Sequence, residues 1–381
     1  MSRAAATGPL TVSLCRDPRQ FAALEQPWNR LVRACPTATP FQSHAWLHSW
    51  WLSYGRDGRL RTVLVRRDGE LVGAAALMLV HRPLPLLVPL GGGITDYFDV
   101  LVDAEHADAV LPALAQGLHQ AARRAVVDLR EVRPGAAAES LYRMWPGARS
   151  KLTDSACMEL PVLPFDELVK RMPTGGAQRI RAKLRKVDAA GIEEHEVTEQ
   201  EVPRAVRSLL RLHEKQWRGR GVTPEHLRPR FAEHLTRATR RMVRSGHGRL
   251  TEFRLDGKVV AANVTLLSSG LSGGYLYGAD PELRAKKVDV ATLLLRHEAR
   301  RALADGREVV SFLRGTEPYK NHWRPEVVVN QRLLLATAPL APLLRLHESQ
   351  VTGRERAVGA LREALPAARD WRARLNDFRV R

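Results

Sequence analysis

The chain has 381 residues, of which 44% are apolar and 27% charged, and its 60 Lys and Arg against 41 Asp and Glu give a net charge of +19. This composition excludes a disordered tail protein and a coiled-coil rod, and the length predicts two domains because a single core rarely grows beyond ~250–300 residues. Only nine of the basic residues are lysines, so part of the charge reflects a bias toward arginine. The rest indicates a polyanionic partner, such as nucleotide phosphates, tRNA or an acidic surface.

The cysteines and the apolar runs indicate a cytoplasmic protein. Cys15, Cys35 and Cys157 form neither a CxxC motif nor an even set, which is typical of a reducing compartment. Residues 1–10 contain no apolar core of a signal peptide, and no apolar run approaches the ~20 residues needed to cross a bilayer. We therefore expect neither a secretion signal nor a membrane span.

An internal repeat is the most informative feature of the sequence. Residues 66–79 read RRDGELVGAAALML and residues 254–267 read RLDGKVVAANVTLL, at a constant offset of 188 residues. Each segment contains an Asp-Gly pair, which favours a two-residue type I′ hairpin turn, and each pair separates two strand-like segments. The sequence therefore predicts an equivalent β-hairpin in each copy.

The elements that follow the two hairpins also repeat. A helical pattern at 107–124 and a strand at 126–132 follow the first hairpin, and a helical pattern at 290–304 and a strand at 309–314 follow the second. The sequence therefore predicts two copies of one hairpin–strand–helix–strand unit and a mixed α/β fold. The alternative is a coincidental similarity between two alanine-rich hairpins.

The repeat and the breaker residues give the domain boundaries. Pro, Gly and Ser cluster over residues 146–164, between the copies. A strand at 332–336 then precedes an Arg- and Leu-rich segment, 343–365, with the pattern of an amphipathic helix. The predicted domains are residues 1–155, residues 156–340 and a helical tail at 341–381.

Five segments carry a resemblance to a known family. They read FQSHAWLHSWW (41–51), GGGITDYFDVLV (91–102), RLHEKQWRGRG (211–221), GYLYGADPELR (274–284) and LRGTEPYKNHW (313–323). In this order they resemble the CelD-like branch of the GNAT acyltransferase superfamily, which is related to the Fem-type aminoacyl-tRNA transferases. The resemblance covers most of residues 40–335. It implies two tandem GNAT units and an acyl-CoA or aminoacyl-tRNA donor, without a metal.

The resemblance places a pyrophosphate-binding loop before the helix of the second copy. GNAT enzymes commonly have [RQ]-x-x-G-x-[GA] there, whereas residues 284–291 read RAKKVDVA. Close backbone approach to a phosphate favours Gly, so lysines at the helix N-terminus would have to supply the charge instead. Asp289 would oppose an anion. The candidate donor-binding residues are Arg284, Lys286, Lys287, Val288 and Arg314.

Direct acyl transfer needs a neutral amine, a stabilised oxyanion and a protonated leaving group. The candidate catalytic residues are Lys320, Glu317, Tyr319 and Asp96. By resemblance, Tyr319 and Lys320 correspond to the aromatic–Lys pair of Fem-type transferases, in which the Lys contacts the donor side. Glu317 would act as the base or anchor the acceptor amine. The alternative is a solvated loop with Tyr319 as an aromatic anchor.

Other polar residues have both a functional and a structural interpretation. Asp96 would bind an acceptor ammonium in the cleft between the units, or it caps an ordinary Gly-rich turn. His213 and Trp217 lie four apart on one helical face, where a hydrogen-bonded core histidine is favoured over a catalytic one. His44 and His48 have the same spacing but no acid beside them, so they do not predict a zinc site.

A basic segment lies between the two copies. Residues 170–186 contain seven basic residues and no acid. Such a run is typically a solvated helix face. By resemblance it would pack against the second unit or contact the phosphates of tRNA or coenzyme A.

Three functions remain open on the sequence. The leading one is an N-acyltransferase that moves an acyl group from acyl-CoA to a small-molecule or peptide amine by direct attack. The alternative is an aminoacyl-tRNA-dependent transferase, which the net charge of +19 favours. The third is a non-catalytic tandem GNAT binding protein, which the missing glycine of the donor loop favours.

Overall fold

The computed structural model describes residues 8–218, 223–315 and 317–364, and only the backbone of Pro318, Tyr319 and residues 358–364. In chain order, the elements up to residue 161 are β1 (Leu10–Cys15), α1 (Pro18–Ala23), α2 (Glu25–Ala34), α3 (His44–Tyr54), β2 (Leu60–Arg67), β3 (Glu70–His81), β4 (Pro85–Pro89), β5 (Leu101–Val102), α4 (Ala107–Ala121), β6 (Val126–Val132), α5 (Ala137–Arg143) and β7 (Ala148–Pro161).

The elements that follow are α6 (Phe165–Lys170), α7 (Thr174–Ala189), β8 (Glu193–Glu196), α8 (Val202–Trp217), a 3-10 helix (Pro224–Leu227), α9 (Pro229–Ser245), β9 (Gly248–Leu255), β10 (Lys258–Leu267), β11 (Leu271–Ala279), α10 (Glu282–Ala285), α11 (Val290–Ala304), β12 (Val309–Arg314), α12 (Pro318–Asn321), β13 (Glu326–Ala336) and α13 (Ala341–Ala364). None of the described helices is long and apolar enough to cross a membrane.

The chain divides into two compact units. Unit 1 takes the chain up to Ala156 together with Val328–Val351, and unit 2 takes Cys157–Val327 and the chain from Thr352. The domain end predicted at residue 340 differs from this division, because β13 pairs with β6 and returns its residues to unit 1. The first half of α13 also belongs to unit 1, where Leu344 packs against strand residues.

Unit 1 is a mixed sheet with the strand order β1-β2-β3-β4-β6-β13-β7, and β5 pairs with β3. The strands β4 and β6 are parallel, and α4 packs on β1, β2 and β3. Side chains alternate along a strand and recur four apart on a helix. Val63 and Val65 of β2 therefore share a core with Leu114 and Leu118 of α4.

Unit 2 has the strand order β7-β12-β11-β10-β9-β8. Its parallel pair is β11 and β12. The helix α8 packs on β10 and β11, α9 packs on β9, and α7 packs on α11. One core joins Val187 of α7 and Leu293 of α11 to Phe253 of β9.

The tandem repeat predicted from the sequence is confirmed. Asp68-Gly69 joins β2 to β3 and Asp256-Gly257 joins β9 to β10, so both turns hold the same place in their units. All four residues have positive φ, at 49° and 81° in the first turn and 51° and 72° in the second, as a type I′ turn requires. Each unit then places a helix, α4 or α11, before the second strand of its parallel pair.

A buried ion-pair network ties β6, β13 and α13 together in unit 1. The carboxyl group of Asp128, 3% exposed, accepts hydrogen bonds from Arg332 Nε at 2.7 Å and from His347 Nε2 at 2.9 Å. Burial alone would raise the pKa of Asp128, but the hydrogen bonds from these two partners hold that pKa below its ordinary value. The carboxylate therefore stays charged, and Arg332 and His347 both depend on it as a hydrogen-bond acceptor.

Replacing Asp128 tests this network. Asp128→Asn should lower the free energy of unfolding by about 3 kcal/mol or more, because the partly buried Arg332 loses its counter-charge and the buried His347 loses its charged hydrogen-bond acceptor. Since the folded pKa is depressed, the contribution is present above the unfolded value of 3.8 and is lost as the pH falls through the folded value. Urea unfolding at about pH 7 and about pH 3 measures both effects. Exposed Glu105→Gln is the control, and an equal loss in the two variants at neutral pH would contradict the network.

Candidate functional site

The parallel strands β11 and β12 of unit 2 pair over only three residues. Leu271–Gly273 lie opposite Val309–Ser311, and within the described strands the ladder ends there. We call the opening beyond this ladder the β11/β12 cleft. On the other side of β11, the pairing with β10 changes register just beyond this point. Gly274 lies opposite Thr265 and Leu276 lies opposite Val264, so Tyr275 forms a β-bulge between them. Bulges redirect the backbone and are frequent beside functional sites.

The loop after β12 is organised around the ammonium group of Lys320. Its Nζ donates to the carbonyl oxygens of Phe312 at 3.2 Å, Arg314 at 3.3 Å and Gly315 at 3.1 Å. It also lies 2.7 Å from Oε2 of Glu317, and the lysine side chain is only 5% exposed. An ammonium has three N–H donors, so the acceptors around it already outnumber them.

This arrangement brings three of the predicted site residues together, namely Lys320, Glu317 and Arg314. The backbone bends to make it possible, because Leu313 has φ +55° and Gly315 has φ +113°. A left-handed conformation at a residue with a Cβ costs roughly 1–2 kcal/mol, which the ion–carbonyl contacts offset. The side chain of Tyr319, also predicted to act here, lies outside the described residues.

Lys320 can be tested for this structural role. Lys320→Ala should lower the free energy of unfolding by about 2 kcal/mol or more, because a cluster of oxygens loses its cation. Ammonium chloride should restore part of that stability, since an ammonium ion fits the vacated cluster.

Thermal unfolding in ammonium chloride and in sodium chloride measures the effect. Lys320→Met is the matched control, because its side chain fills the space and should gain nothing specific from ammonium. An unchanged melting temperature in Lys320→Ala, combined with lost turnover, would instead support the donor contact that the resemblance implies.

The predicted pyrophosphate loop closes on itself. The N–H groups of Lys286, Lys287 and Val288 all donate to carbonyl groups of α10, at 2.9–3.1 Å. Lys287 has φ +59°, and the bond from Val288 N–H to Leu283 O completes the Schellman motif that ends α10. These backbone donors therefore serve the end of α10 and do not point outward to a phosphate.

Asp289 occupies the N-terminus of α11. Its Oδ1 accepts the N–H of Thr292 at 2.9 Å, and its Oδ2 accepts Nζ of Lys183 at 2.9 Å. Burial alone would raise the pKa of Asp289, but the hydrogen bonds from these partners hold that pKa below its ordinary value. The carboxylate therefore occupies the helix end where the dipole would otherwise favour a bound anion. Of the predicted donor-binding residues, Arg284, Lys286 and Lys287 are exposed and Val288 is buried.

The loop geometry predicts an unusual stabilising substitution. Lys287→Gly should raise the free energy of unfolding by about 1 kcal/mol, because Gly adopts the left-handed conformation without the cost of a Cβ. Lys286→Gly removes the same charge at an ordinary φ of −76° and should lower the stability slightly. Urea unfolding compares the two variants, and a more stable Lys286→Gly would contradict the assigned geometry.

The helix α8 covers the end of β11. His213 Nδ1 lies 2.7 Å from the carbonyl oxygen of Tyr277, and Oε1 of Gln216 accepts the N–H of Ala279 at 2.9 Å. The two backbones approach closely at Gly278, where an added Cβ would lie 2.4 Å from the backbone nitrogen of His213. A glycine is therefore required at this crossing.

A second imidazole, which the sequence reading missed, lies against His213. Nδ1 of His226, in the 3-10 helix, is 3.2 Å from Nε2 of His213, and its ring stacks on Phe231 of α9 with centroids 4.6 Å apart. Burial and the neighbouring His213 lower the pKa of His226 to about 4. Burial also lowers the pKa of His213. His213 is buried and hydrogen-bonded, as expected of a core histidine, but no local motif links it to His226.

The remaining candidates lie elsewhere. Asp96 belongs to unit 1, where it is 9% exposed and its carbonyl oxygen accepts a hydrogen bond from Asn330 at 3.0 Å. His44 and His48, also in unit 1, stack with centroids 5.2 Å apart. In the part of the chain that the structure describes, no three His, Cys, Asp or Glu side chains are grouped to hold a metal ion.

The basic segment forms most of α7. Most of its cations are exposed, namely Arg179, Arg181, Arg185 and Lys186, whereas Lys183 pairs with Asp289. The segment therefore contributes both a solvated positive face and one contact to the start of α11.

Comparison with known proteins identifies this architecture. Residues 176–321, all within unit 2, match the family model for the acetyltransferase (GNAT) domain. The crystal structure of FemX is similar over 84% of this chain and 98% of that chain, with a TM-score of 0.61 and 14% identity. Residues 176–321 therefore match a GNAT domain, and the chain has a Fem-like tandem fold. No curated protein sequence matches it.

Two further solved structures are similar to this protein. One is the C-terminal domain (DUF2156) of a putative lysylphosphatidylglycerol synthetase from Agrobacterium fabrum, with a TM-score of 0.52 and 12% identity, covering 87% of this chain and 96% of that one. The other is L-PGS from Bacillus licheniformis, with a TM-score of 0.51 and 12% identity, covering 89% and 97%. At these identities the likeness concerns the fold, and the family model marks unit 2 as an acyltransferase domain.

Proposed function

We propose that the protein is an N-acyltransferase that takes its acyl group from an aminoacyl-tRNA and transfers it to an amine at the β11/β12 cleft. The observation that carries the choice of donor is Asp289. Its carboxylate caps α11 and is paired with Lys183, so the helix end that would receive a coenzyme A pyrophosphate already holds an anion. The likeness of the fold to FemX agrees with this choice.

The surface charge of unit 2 supports a donor with many phosphates. Exposed cations lie on α7 and in the loop before α11, namely Arg179, Arg181, Arg185, Lys186, Arg284, Lys286 and Lys287. A tRNA neutralises many such charges at once and releases counterions, so its binding falls steeply as the salt concentration rises. One pyrophosphate engages only a few of them.

The reaction is a direct transfer. The amine nitrogen attacks the ester carbonyl, an N–C bond forms, the ester C–O bond breaks, and the tRNA hydroxyl leaves after taking up a proton. The backbone around the Tyr275 bulge is the candidate donor to the oxyanion. Lys320 fixes the end of β12 through its carbonyl contacts, and in this role it is a positioning residue.

Acyl-CoA is the second candidate donor. The GNAT family model favours it, and so do the three exposed cations of the loop before α11. If acyl-CoA binds there, reversing the charge of Lys286 and Lys287 together should weaken its binding by on the order of 1–3 kcal/mol.

Binding measurements distinguish the two donors. Wild-type protein should bind labelled tRNA in fluorescence anisotropy, with log K falling linearly with log salt, and should give no heat with acetyl-CoA in calorimetry. Asp289→Ser keeps a capping side chain but removes the carboxylate, and should gain measurable acetyl-CoA binding. Asp188→Ser, an exposed acid of α7, is the matched control and should gain none.

The outcomes separate the three functions. Tight acetyl-CoA binding by the wild-type protein, weakened by the double charge reversal, would overturn the tRNA proposal in favour of acyl-CoA. Failure to bind either donor, or to consume a charged tRNA or acetyl-CoA, would favour the non-catalytic tandem GNAT protein.

A further inference from the structure

Two imidazoles form a relay beside the β11/β12 cleft. The first, His213, is bonded to the carbonyl oxygen of Tyr277, two residues beyond the Tyr275 bulge. The second, His226, is bonded to the first at 3.2 Å. The relay therefore starts on the backbone of the cleft strand and ends on the ring of His226, which is half-buried.

The hydrogen-bond partners determine both tautomers. A carbonyl oxygen only accepts, so Nδ1 of His213 carries the proton and its Nε2 is a lone pair. Nδ1 of His226 must then donate to that lone pair, which leaves Nε2 of His226 as a lone pair in turn. Among residues 8–218, 223–315 and 317–364, no group hydrogen-bonds to this Nε2.

A hydrogen-bond donor lies close to the same place. Trp217 is one helical turn beyond His213, and the two rings are 6.2 Å apart. The indole N–H of Trp217 is buried, and it has no acceptor among the described residues. The relay thus ends on an acceptor, His226 Nε2, and a buried donor, Trp217 Nε1, lies beside its first ring.

We propose that His226 is the general base that takes the proton of the attacking nucleophile in unit 2, and that His213 holds His226 in the required tautomer. The assignment rests on the proposed acyl transfer. In that reaction the attacking nitrogen becomes much more acidic as its bond to the acyl carbon forms. Nε2 of His226 accepts the released proton, the ester C–O bond breaks, and the same proton goes to the departing tRNA oxygen.

The charged groups around the relay are already paired. Glu225 of the same 3-10 helix forms an ion pair with Arg230 of α9. Lys215 of α8 forms an ion pair with Asp280, which follows β11. The nearest titratable neighbour of His226 is therefore His213, and protonation of either ring disfavours protonation of the other.

Histidine NMR tests the relay without any substrate. In the ¹⁵N-labelled full chain, His213 and His226 should both appear as neutral Nδ1–H tautomers. The His226 signals should stay unchanged between about pH 8 and about pH 5, because its pKa lies near 4. An Nε2–H tautomer at His226, or titration of His226 near the ordinary histidine value of about 6.5, would overturn the relay.

Hydrolysis of the donor tests the catalytic role of His226 without a known acceptor, because an attacking water molecule needs the same base as an attacking amine. The probes are tRNA charged with ¹⁴C-labelled amino acids and, separately, acetyl-CoA. His226→Ala should lower kcat for deacylation of the active donor by about 10²-fold or more while leaving KM nearly unchanged. Free imidazole should restore the rate in proportion to its neutral form, an effect that a purely structural role would not produce.

His195→Ala is the matched control, because this histidine of unit 2 pairs with Glu201, and it should retain wild-type turnover. Wild-type turnover in His226→Ala, or loss without imidazole rescue, would overturn the assignment while leaving acyl transfer intact. A wild-type protein that consumes neither donor would overturn the proposed function itself, and with it the catalytic role of His226. The NMR result would then report on the hydrogen-bonded pair alone.

Discussion

The first N–H groups of a helix have no partner within it, so the start of α11 needs a hydrogen-bond acceptor from outside the helix. In this protein the chain supplies that group itself through Asp289, which bonds Thr292 and Lys183. One carboxylate therefore completes the first turn of α11 and links it to α7. The same contacts place a negative charge at a helix end that would otherwise favour a bound anion.

The two parallel strands of unit 2 are held apart by different means. On β11, the bulge at Tyr275 shifts the register, and α8 covers the strand end through His213 and Gln216. On β12, the ammonium group of Lys320 donates hydrogen bonds to three carbonyl oxygens at the end of the strand, where the backbone bends. Buried polar groups must find hydrogen-bond partners. Here the side chains of α8 and α12 find them on the backbone of β11 and β12, and these contacts fix the geometry of the opening.

Local patterns predicted the elements well. The helix at 290–304 and the strands at 126–132 and 309–314 have the predicted bounds, because periodicity and breakers act over a few residues. The return of β13 to unit 1 was missed, since strand pairing across 195 residues or more leaves no local signal. The contacts of Lys320 and the pairing of His213 with His226 were missed for the same reason. Polar contacts of this kind depend on where the backbone turns, and hydrophobic periodicity does not encode that.

The two sides of the β11/β12 cleft are chemically distinct. The start of α11 and the adjoining face of α7 carry exposed positive charge, interrupted by the one carboxylate that caps the helix. The side covered by α8 carries neutral imidazoles and the indole of Trp217, with its nearby charges already paired. In the proposed reaction, the polyanionic donor and the nucleophile that loses a proton would occupy these two environments separately. Burial keeps both rings uncharged, so in the proposed reaction the relay does not repel a cationic acceptor and keeps the lone pair that takes the proton of the attacking nitrogen once its bond to the acyl carbon forms.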